Sequence, residues 1–333
     1  MAAVLGVSCK KDKDTTLPTM VGSPTFQMVT FAAMNEEITV SPHGIRHPDG
    51  KGIGYAWKVS ALSSRPDTVK FEDEKIDSSY TFTTPDEPVT TTVTCYAFAD
   101  GYQSSYYSRT LMVVDPRFGF TLTDNGIFNS HPSFYDGREQ DVPAYLRKYY
   151  YVNHDGLDWF RNNLSYTKTG KAYEDSEVMN YIFGRYYNWH EAMESCPEGW
   201  RLPTSAEWEK LAGGQLEGVA GSLMVNAQFN DDDMWEYWPE VNITNSLNFC
   251  AIPTGYAFLG GEGGKDDYAG INHYAVFWCS DVNPDNPGQA RYYYLNDQKP
   301  DLFRAWADKD SFGASVRCVR KNEDGSPVSP LHM

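Results

Sequence analysis

Residues 196–211, CPEGWRLPTSAEWEKL, hold a cysteine, a Pro-Glu-Gly turn, a short extended piece at residues 200–203 and the start of a helix. Thr204 followed by Glu207 is a capping box, in which each side chain satisfies the other residue's backbone donor. Trp208, Leu211 and Ala212 then fall at i, i+3 and i+4, one apolar helix face. Upstream, Asn188 and Glu191 repeat the capping pattern, and Trp189, Ala192, Met193 and Cys196 follow at helical spacing. The unit therefore reads as helix, cysteine, turn, short strand, helix. None of its residues is an evident catalytic group.

The surrounding chain has 333 residues, enough for two ordinary domains that each bury a core. Its 41% hydrophobic and 15% aromatic content is that of a folded protein rich in strand-forming rings. The formal charge of -17 sets up a field that repels phosphate backbones, which argues against nucleic-acid partners. Residues 1–8, MAAVLGVS, then Cys9 and KKDKDTT, resemble the end of a signal peptide and a bacterial lipoprotein cleavage site. That resemblance implies lipidation of Cys9 and attachment to a membrane through the anchor. No other segment is apolar enough to cross a bilayer. Beyond Cys9 stand Cys95 alone in the first half and Cys196, Cys250, Cys279 and Cys318 in the second. Four cysteines allow three pairings, and none has zinc spacing, so disulfides in an oxidising compartment are expected. Cys95, in TTVTCYAF, reads as a buried strand thiol.

From residue 18 to residue 115 the chain reads as all-β. Short runs rich in Val, Thr and aromatics are separated by HPDGKG, SSRPD, PDEP and ADGYQ, all turn chemistry. Val93, Cys95 and Ala97 alternate with Thr92, Thr94 and Tyr96, and Trp57 is expected to share their core. About seven strands in roughly a hundred residues is a sandwich count. The stretch resembles immunoglobulin-like and PKD-like modules of bacterial surface proteins. Asp115-Pro116 marks its end, and residues 117–143 read as irregular, able to pair with either neighbour. Residues 1–17 are taken as leader remnant and tether, 116–322 as the second domain and 323–333 as a loose tail.

A series of blocks in the second half carries a closer resemblance: Asp155-Gly156, Trp159, Asn163-Leu164, Gly184-Arg185-Tyr186-Tyr187-Asn188-Trp189, Cys196-Pro197, Gly199-Trp200-Arg201-Leu202-Pro203-Thr204, Glu207-Trp208, Pro253-Thr254-Gly255-Tyr256, Phe277-Trp278-Cys279-Ser280 and Ser315-Val316-Arg317-Cys318-Val319. In order, over residues 145–321, they resemble the Fibrobacter succinogenes major paralogous domain, found on exported proteins of Bacteroidetes and their relatives. The resemblance implies an α+β C-type lectin-like fold, with two helices and a small, loop-rich antiparallel sheet. It also implies the bridges Cys196–Cys318 and Cys250–Cys279. A related fold occurs in formylglycine-generating enzymes, under which Cys279 and Cys318 would be the paired thiols of an oxidase.

Site chemistry is sparser. His190-Glu191 begins a zinc-protease motif, but Glu194 stands where the second histidine belongs, so a solvated helix face is the better reading. No P-loop, GxSxG or dinucleotide fingerprint occurs. In FNDDDMWEYW, Trp235 and Tyr237 are candidates for stacking on sugar rings, with Asp231, Asp232 and Asp233 beside them for hydroxyls. In GGEGGKDD, Glu262, Asp266 and Asp267 offer hard oxygen ligands, and calcium is the one cofactor considered for them. The expectation is a non-enzymatic surface lipoprotein that presents a recognition domain on a spacer to a glycan or protein, for adhesion or nutrient capture. A structural subunit of a surface assembly is the alternative, and an oxidase ranks third.

Overall fold

The computed structural model describes residues 16–62, 67–69, 78–116, 121–122, 131–229, 232–235 and 241–322. Cys9 and the tail 323–333 lie outside the described residues. The chain divides into two compact units, Met1–Met28 with Asn35–Val113 and Val29–Met34 with Val114–Met333. Among the described residues, no helix is long and apolar enough to cross a membrane.

The first unit is built of strands. An antiparallel ladder runs Ser105–Val114, Val89–Phe98, Gly54–Val59, Asp67–Val69 in spatial order. Glu37–Val40 pairs with Tyr80–Thr83, and Val21–Thr25 with His43–Arg46. Because strand side chains alternate between faces, Val93, Cys95 and Ala97 all point inward and are fully buried. Trp57 lies directly opposite Cys95 in the ladder and is equally buried, with Phe26 edge-on at 5.1 Å and Tyr80 stacked at 5.8 Å.

In the second unit both expected helices form where their capping boxes begin. Asn188 and Glu191 close the box on Trp189–Ser195, and Thr204 and Glu207 close it on Ser205–Leu211. Each helix ends after seven residues. Cys196 turns to an extended conformation ahead of Pro197, and Gly213 and Gly214 take positive φ beyond Ala212.

The rest of the unit is mostly sheet, and this overturns the α+β lectin-like expectation: of the described residues 42% are strand and 13% helix, in many small sheets. Residues 213–288 contain the nine-residue strand Tyr274–Val282. This inner strand pairs with the middle strand Gln289–Asn296, which pairs in turn with the outer strand Lys299–Asp308. The outer strand is hidden in the sequence by Pro300 and by its charges, features that an edge position tolerates. A second sheet runs Ser133–Tyr135, Lys148–His154, Leu157–Phe160, Val319–Lys321, which joins the irregular segment after residue 130 to this unit. A third runs Asp267–Ala269, Tyr256–Phe258, Phe312–Gly313.

The Tyr274–Asp308 sheet separates two cores. Ala275, Phe277, Cys279, Tyr293, Leu295 and Leu302 face one core, where Trp208 meets Trp159 at 5.1 Å and stacks on Tyr293 at 5.2 Å. Val276, Trp278 and Ala290 face the other, with Phe160, Trp200, Phe312 and Val316. The disulfide Cys196–Cys318 ties the end of the first helix to the start of the last strand, across 122 residues of sequence. Arg317, next to it, is fully buried. Its guanidinium donates to Asn163 Oδ1 at 2.7 Å and to the carbonyls of Phe160, Phe249 and Cys250 at 3.1, 2.7 and 2.9 Å.

The expected Cys250–Cys279 bridge is absent, and both cysteines are free and buried. Each sulfur is engaged elsewhere. Cys250 Sγ accepts from Arg161 Nη2 at 2.9 Å and Asn245 Nδ2 at 3.2 Å, while Cys279 Sγ donates to Asp281 Oδ2 at 3.0 Å.

Candidate functional site

The loop expected to bind sugar does not offer its tryptophan. Met234 and Trp235 turn inward, and Trp235 is 1% exposed in the same core as Trp208. Its ring is covered by protein and has no face for a ligand, which corrects its assignment as a binding residue. Asp232–Asp233 pairs as a strand with Ala227–Phe229, and Asp233 is exposed, accepting from Gln228 Nε2 at 3.0 Å. Asp231 and Tyr237 lie outside the described residues, as does the side chain of Asp232.

The acidic loop does not bring Glu262, Asp266 and Asp267 together as a ligand set. Asp266 Oδ1 accepts from the Gly260 backbone N–H at 2.8 Å, and its Oδ2 lies 3.7 Å from Lys171 Nζ, so its carboxylate is already committed. Glu262 sits in a short 3-10 turn and Asp267 begins the strand Asp267–Ala269, both exposed. Among the described residues, no group of three or more His, Cys, Asp or Glu side chains converges to hold a metal. The thiol pair of the oxidase reading is also lost. Cys318 is consumed by its bond to Cys196, and burial pushes the Cys279 thiol up to about 12. His190 is exposed beside an equally exposed Asp310 at 3.4 Å, in keeping with a solvated helix face.

A different surface collects aromatic side chains. Alternation along the middle strand sends Tyr293 and Leu295 into one core and Tyr292 and Tyr294 to the opposite face. On that face, Val276 and Trp278 of the inner strand lie opposite Tyr294 and Tyr292 and are buried as the layer below. On the outer strand, Ala305 and Ala307 lie opposite Tyr292 and Ala290. These short side chains cannot reach over the rings, so Tyr292 and Tyr294 stay half-exposed. Phe303, opposite Tyr294, stacks on it at 5.1 Å.

Tyr256, Tyr274 and Phe312 complete a closed circuit of five rings. Centroids are 6.2 Å apart for Tyr256 and Tyr274, 6.1 Å for Tyr274 and Tyr294, and 5.8 Å for Tyr294 and Tyr292. Tyr292 to Phe312 is 5.0 Å and Phe312 to Tyr256 is 5.5 Å. Phe258, 48% exposed, packs edge-on against Tyr256 at 5.5 Å. Ring pairs of this kind contribute about 0.5–1.5 kcal/mol each beyond area burial, so the circuit is held in place before any partner arrives.

The hydroxyls distinguish this face from the interior. Other tyrosines of the unit bond their hydroxyls to protein: buried Tyr186 to Thr254 O and Tyr293 to Ser205 O, and half-buried Tyr268 to Ala172 O. Those of Tyr256, Tyr274, Tyr292 and Tyr294 have no protein partner among the described residues. Burial, then the neighbouring phenols Tyr294, Tyr256 and Tyr274, pushes the Tyr292 hydroxyl above its ordinary value, and no ionised side chain contributes. Burial followed by Tyr274 does the same for Tyr294. The circuit is thus a surface of ring carbon edged by phenol hydroxyls. Its signal stood in the sequence as RYYYLN, where period-2 alternation separates Tyr292 and Tyr294 from Tyr293.

No curated protein matches the chain. Among solved structures, the adhesin InvE of Yersinia pseudotuberculosis is similar at 9% identity over 90% of this chain and 70% of that one, with a TM-score of 0.24. A superoxide reductase (neelaredoxin) from Ignicoccus hospitalis is similar at 12% identity over 28% of this chain and 82% of that one, with a TM-score of 0.22. At these scores neither bears on fold or function. Residues 146–320, by contrast, match the Fibrobacter succinogenes major domain and span the helices, the disulfide, the buried Arg317 and the aromatic circuit. With more than half of its length matched in this way, the chain belongs to the Fibrobacter succinogenes major domain family.

Proposed function

We propose that the chain is an exported surface lipoprotein, anchored through Cys9, whose second unit is a recognition module for glycans. The observation that carries the recognition reading is the circuit of half-exposed Tyr256, Tyr274, Tyr292 and Tyr294 around the buried Phe312, extended by Phe258 and Phe303. A contiguous aromatic surface of this kind marks an interaction site, and aromatic rings pack against the C–H faces of sugars. The disulfide Cys196–Cys318 supports export, since such bonds persist in oxidising compartments. The small, apolar run ahead of Cys9 and the charged tether after it support the anchor. The all-β first unit then serves as the spacer between anchor and module in chain order.

The test is retention of the full chain on a glycan array, wild type against Tyr294→Ala. Saturable retention on a subset of glycans, lost in the variant, is expected. Absence of any retained glycan, or a variant that binds as the wild type does, refutes the recognition reading. Fatty-acid labelling of the wild type that persists in Cys9→Ser refutes the anchor.

A further inference from the structure

We infer that the tyrosine circuit selects an uncharged saccharide, whose ring carbons pack on Tyr292, Tyr294 and Phe303 and whose hydroxyls bond the free phenols of Tyr256, Tyr274, Tyr292 and Tyr294. This inference rests on the recognition reading above and specifies its ligand class. It follows from what each alternative occupant would leave unsatisfied. An apolar protein patch laid over the circuit would strip water from four hydroxyls that have no protein partner among the described residues and offer nothing in return. A buried polar group left unpaired in this way weakens binding about 5- to 150-fold. A carboxylate or sulfate would lose its hydration against Tyr256, Tyr274, Tyr292, Tyr294, Phe303 and Phe312, none of which carries a cation to pair with it. A neutral sugar avoids both penalties. It presents C–H faces to ring carbon and hydroxyls to hydroxyls, each able to donate or accept.

The geometry also favours a ligand that lies across the strands. The Ala305 and Ala307 side of the outer strand is low beside the rings, and Phe303 stacks on Tyr294 at the end of the row. Because the rings are fixed by one another and by Val276 and Trp278 below, little ordering of the protein is needed on binding.

The experiment is calorimetric titration of the full chain, with its disulfide intact, against four probes: neutral hexasaccharides of glucose and of mannose, hexagalacturonate, and tetramethylammonium. The variants are Tyr292→Phe and Tyr294→Phe, which keep the ring and remove the hydroxyl, with Tyr106→Phe of the first unit as a control. Binding of at least one neutral hexasaccharide is expected, weakened about 3- to 10-fold by each of the two circuit substitutions and unchanged by the control. Hexagalacturonate or tetramethylammonium bound as tightly as the neutral sugars overturns the inference, since charge would then be no barrier, and leaves the recognition reading standing. Neutral sugar binding that the Phe variants do not weaken overturns the role of the hydroxyls. Absence of binding to all four probes overturns the inference, and the glycan array then decides separately whether the recognition reading survives.

Discussion

Removing the Cys196–Cys318 bond as Cys196→Ala with Cys318→Ala is the sharpest test of how the second unit is held together. The bond spans 122 residues of sequence. In the chain-entropy account, a cross-link of that span removes about 16 cal/mol/K from the unfolded chain, or about 5 kcal/mol at 25 °C. The folded side adds a smaller loss, because Cys318 is fully buried beside Trp200 and Val316 and the pair leaves a void there. For a unit of roughly 220 residues, about 2–4 °C of Tm follows each kcal/mol, so a fall of about 10–20 °C is expected. The assay is calorimetry of the oxidised wild type, the wild type held in a phosphine reductant and the double variant. Urea titrations beside it should show a larger m value for the double variant, whose unfolded chain is less compact. A Tm change under about 3 °C would refute the reasoning. So would peptide maps of oxidised protein that find Cys196 and Cys318 unlinked or Cys250 and Cys279 joined.

Two further perturbations probe the polar groups that fix local structure. Arg317→Lys keeps the charge but cannot reach Asn163 Oδ1 and three carbonyls at once, so a loss of about 3–5 kcal/mol in urea titrations is expected, and a loss below about 1 kcal/mol would sink the assignment. Burial pushes the Glu207 carboxyl up, but hydrogen bonds from Arg201 and from the Thr204 backbone N–H outweigh it and leave the group below its ordinary value. Its stabilisation is therefore complete above the unfolded value of 4.5 and is lost as pH falls through the lower, folded value. Urea midpoints from pH 6 to pH 3 should drop more in the wild type than in Glu207→Gln, and parallel curves would contradict the capping role.

Local chemistry made much of the fold legible. The two capping boxes marked both helix starts because Asn188, Glu191, Thr204 and Glu207 satisfy backbone donors within their own turn, independently of the rest of the chain. The inward set of Val93, Cys95 and Ala97 was equally local, a matter of alternation. The Cys196–Cys318 pairing came from likeness to a family, since spacing left three pairings open. Non-local effects account for the failures. Pro300 and the charges of Lys299–Asp308 disfavour a central strand, and only the edge position, set by the hairpin with Gln289–Asn296, makes them acceptable. The expectation of an α+β second unit came from likeness to a family, whereas the two helix starts read in the sequence say nothing of length. Gly213 and the turn at Cys196 stop both helices after two turns.

The aromatic surface failed to show itself for a related reason. FNDDDMWEYW attracts notice because carboxylates beside aromatic rings resemble a ligand loop, yet composition cannot tell a ring displayed by a loop from one that anchors it. Trp235 is the anchor: it is 1% exposed in a core with Trp208 and Phe249. Tyr292 and Tyr294 present the converse case. Their strand could be read from RYYYLN, and alternation says that they share a face, but not whether that face is roofed. The answer depends on residues far off in sequence. Ala305 and Ala307 leave the outer-strand side open, while Tyr256 and Phe312 arrive from another sheet to close the circuit without covering it. Replacing an alanine opposite a half-exposed tyrosine with a large side chain would roof the site and leave the local strand pattern almost unchanged. Access to the rings is accordingly governed by the small residues beside them as much as by the aromatic residues themselves.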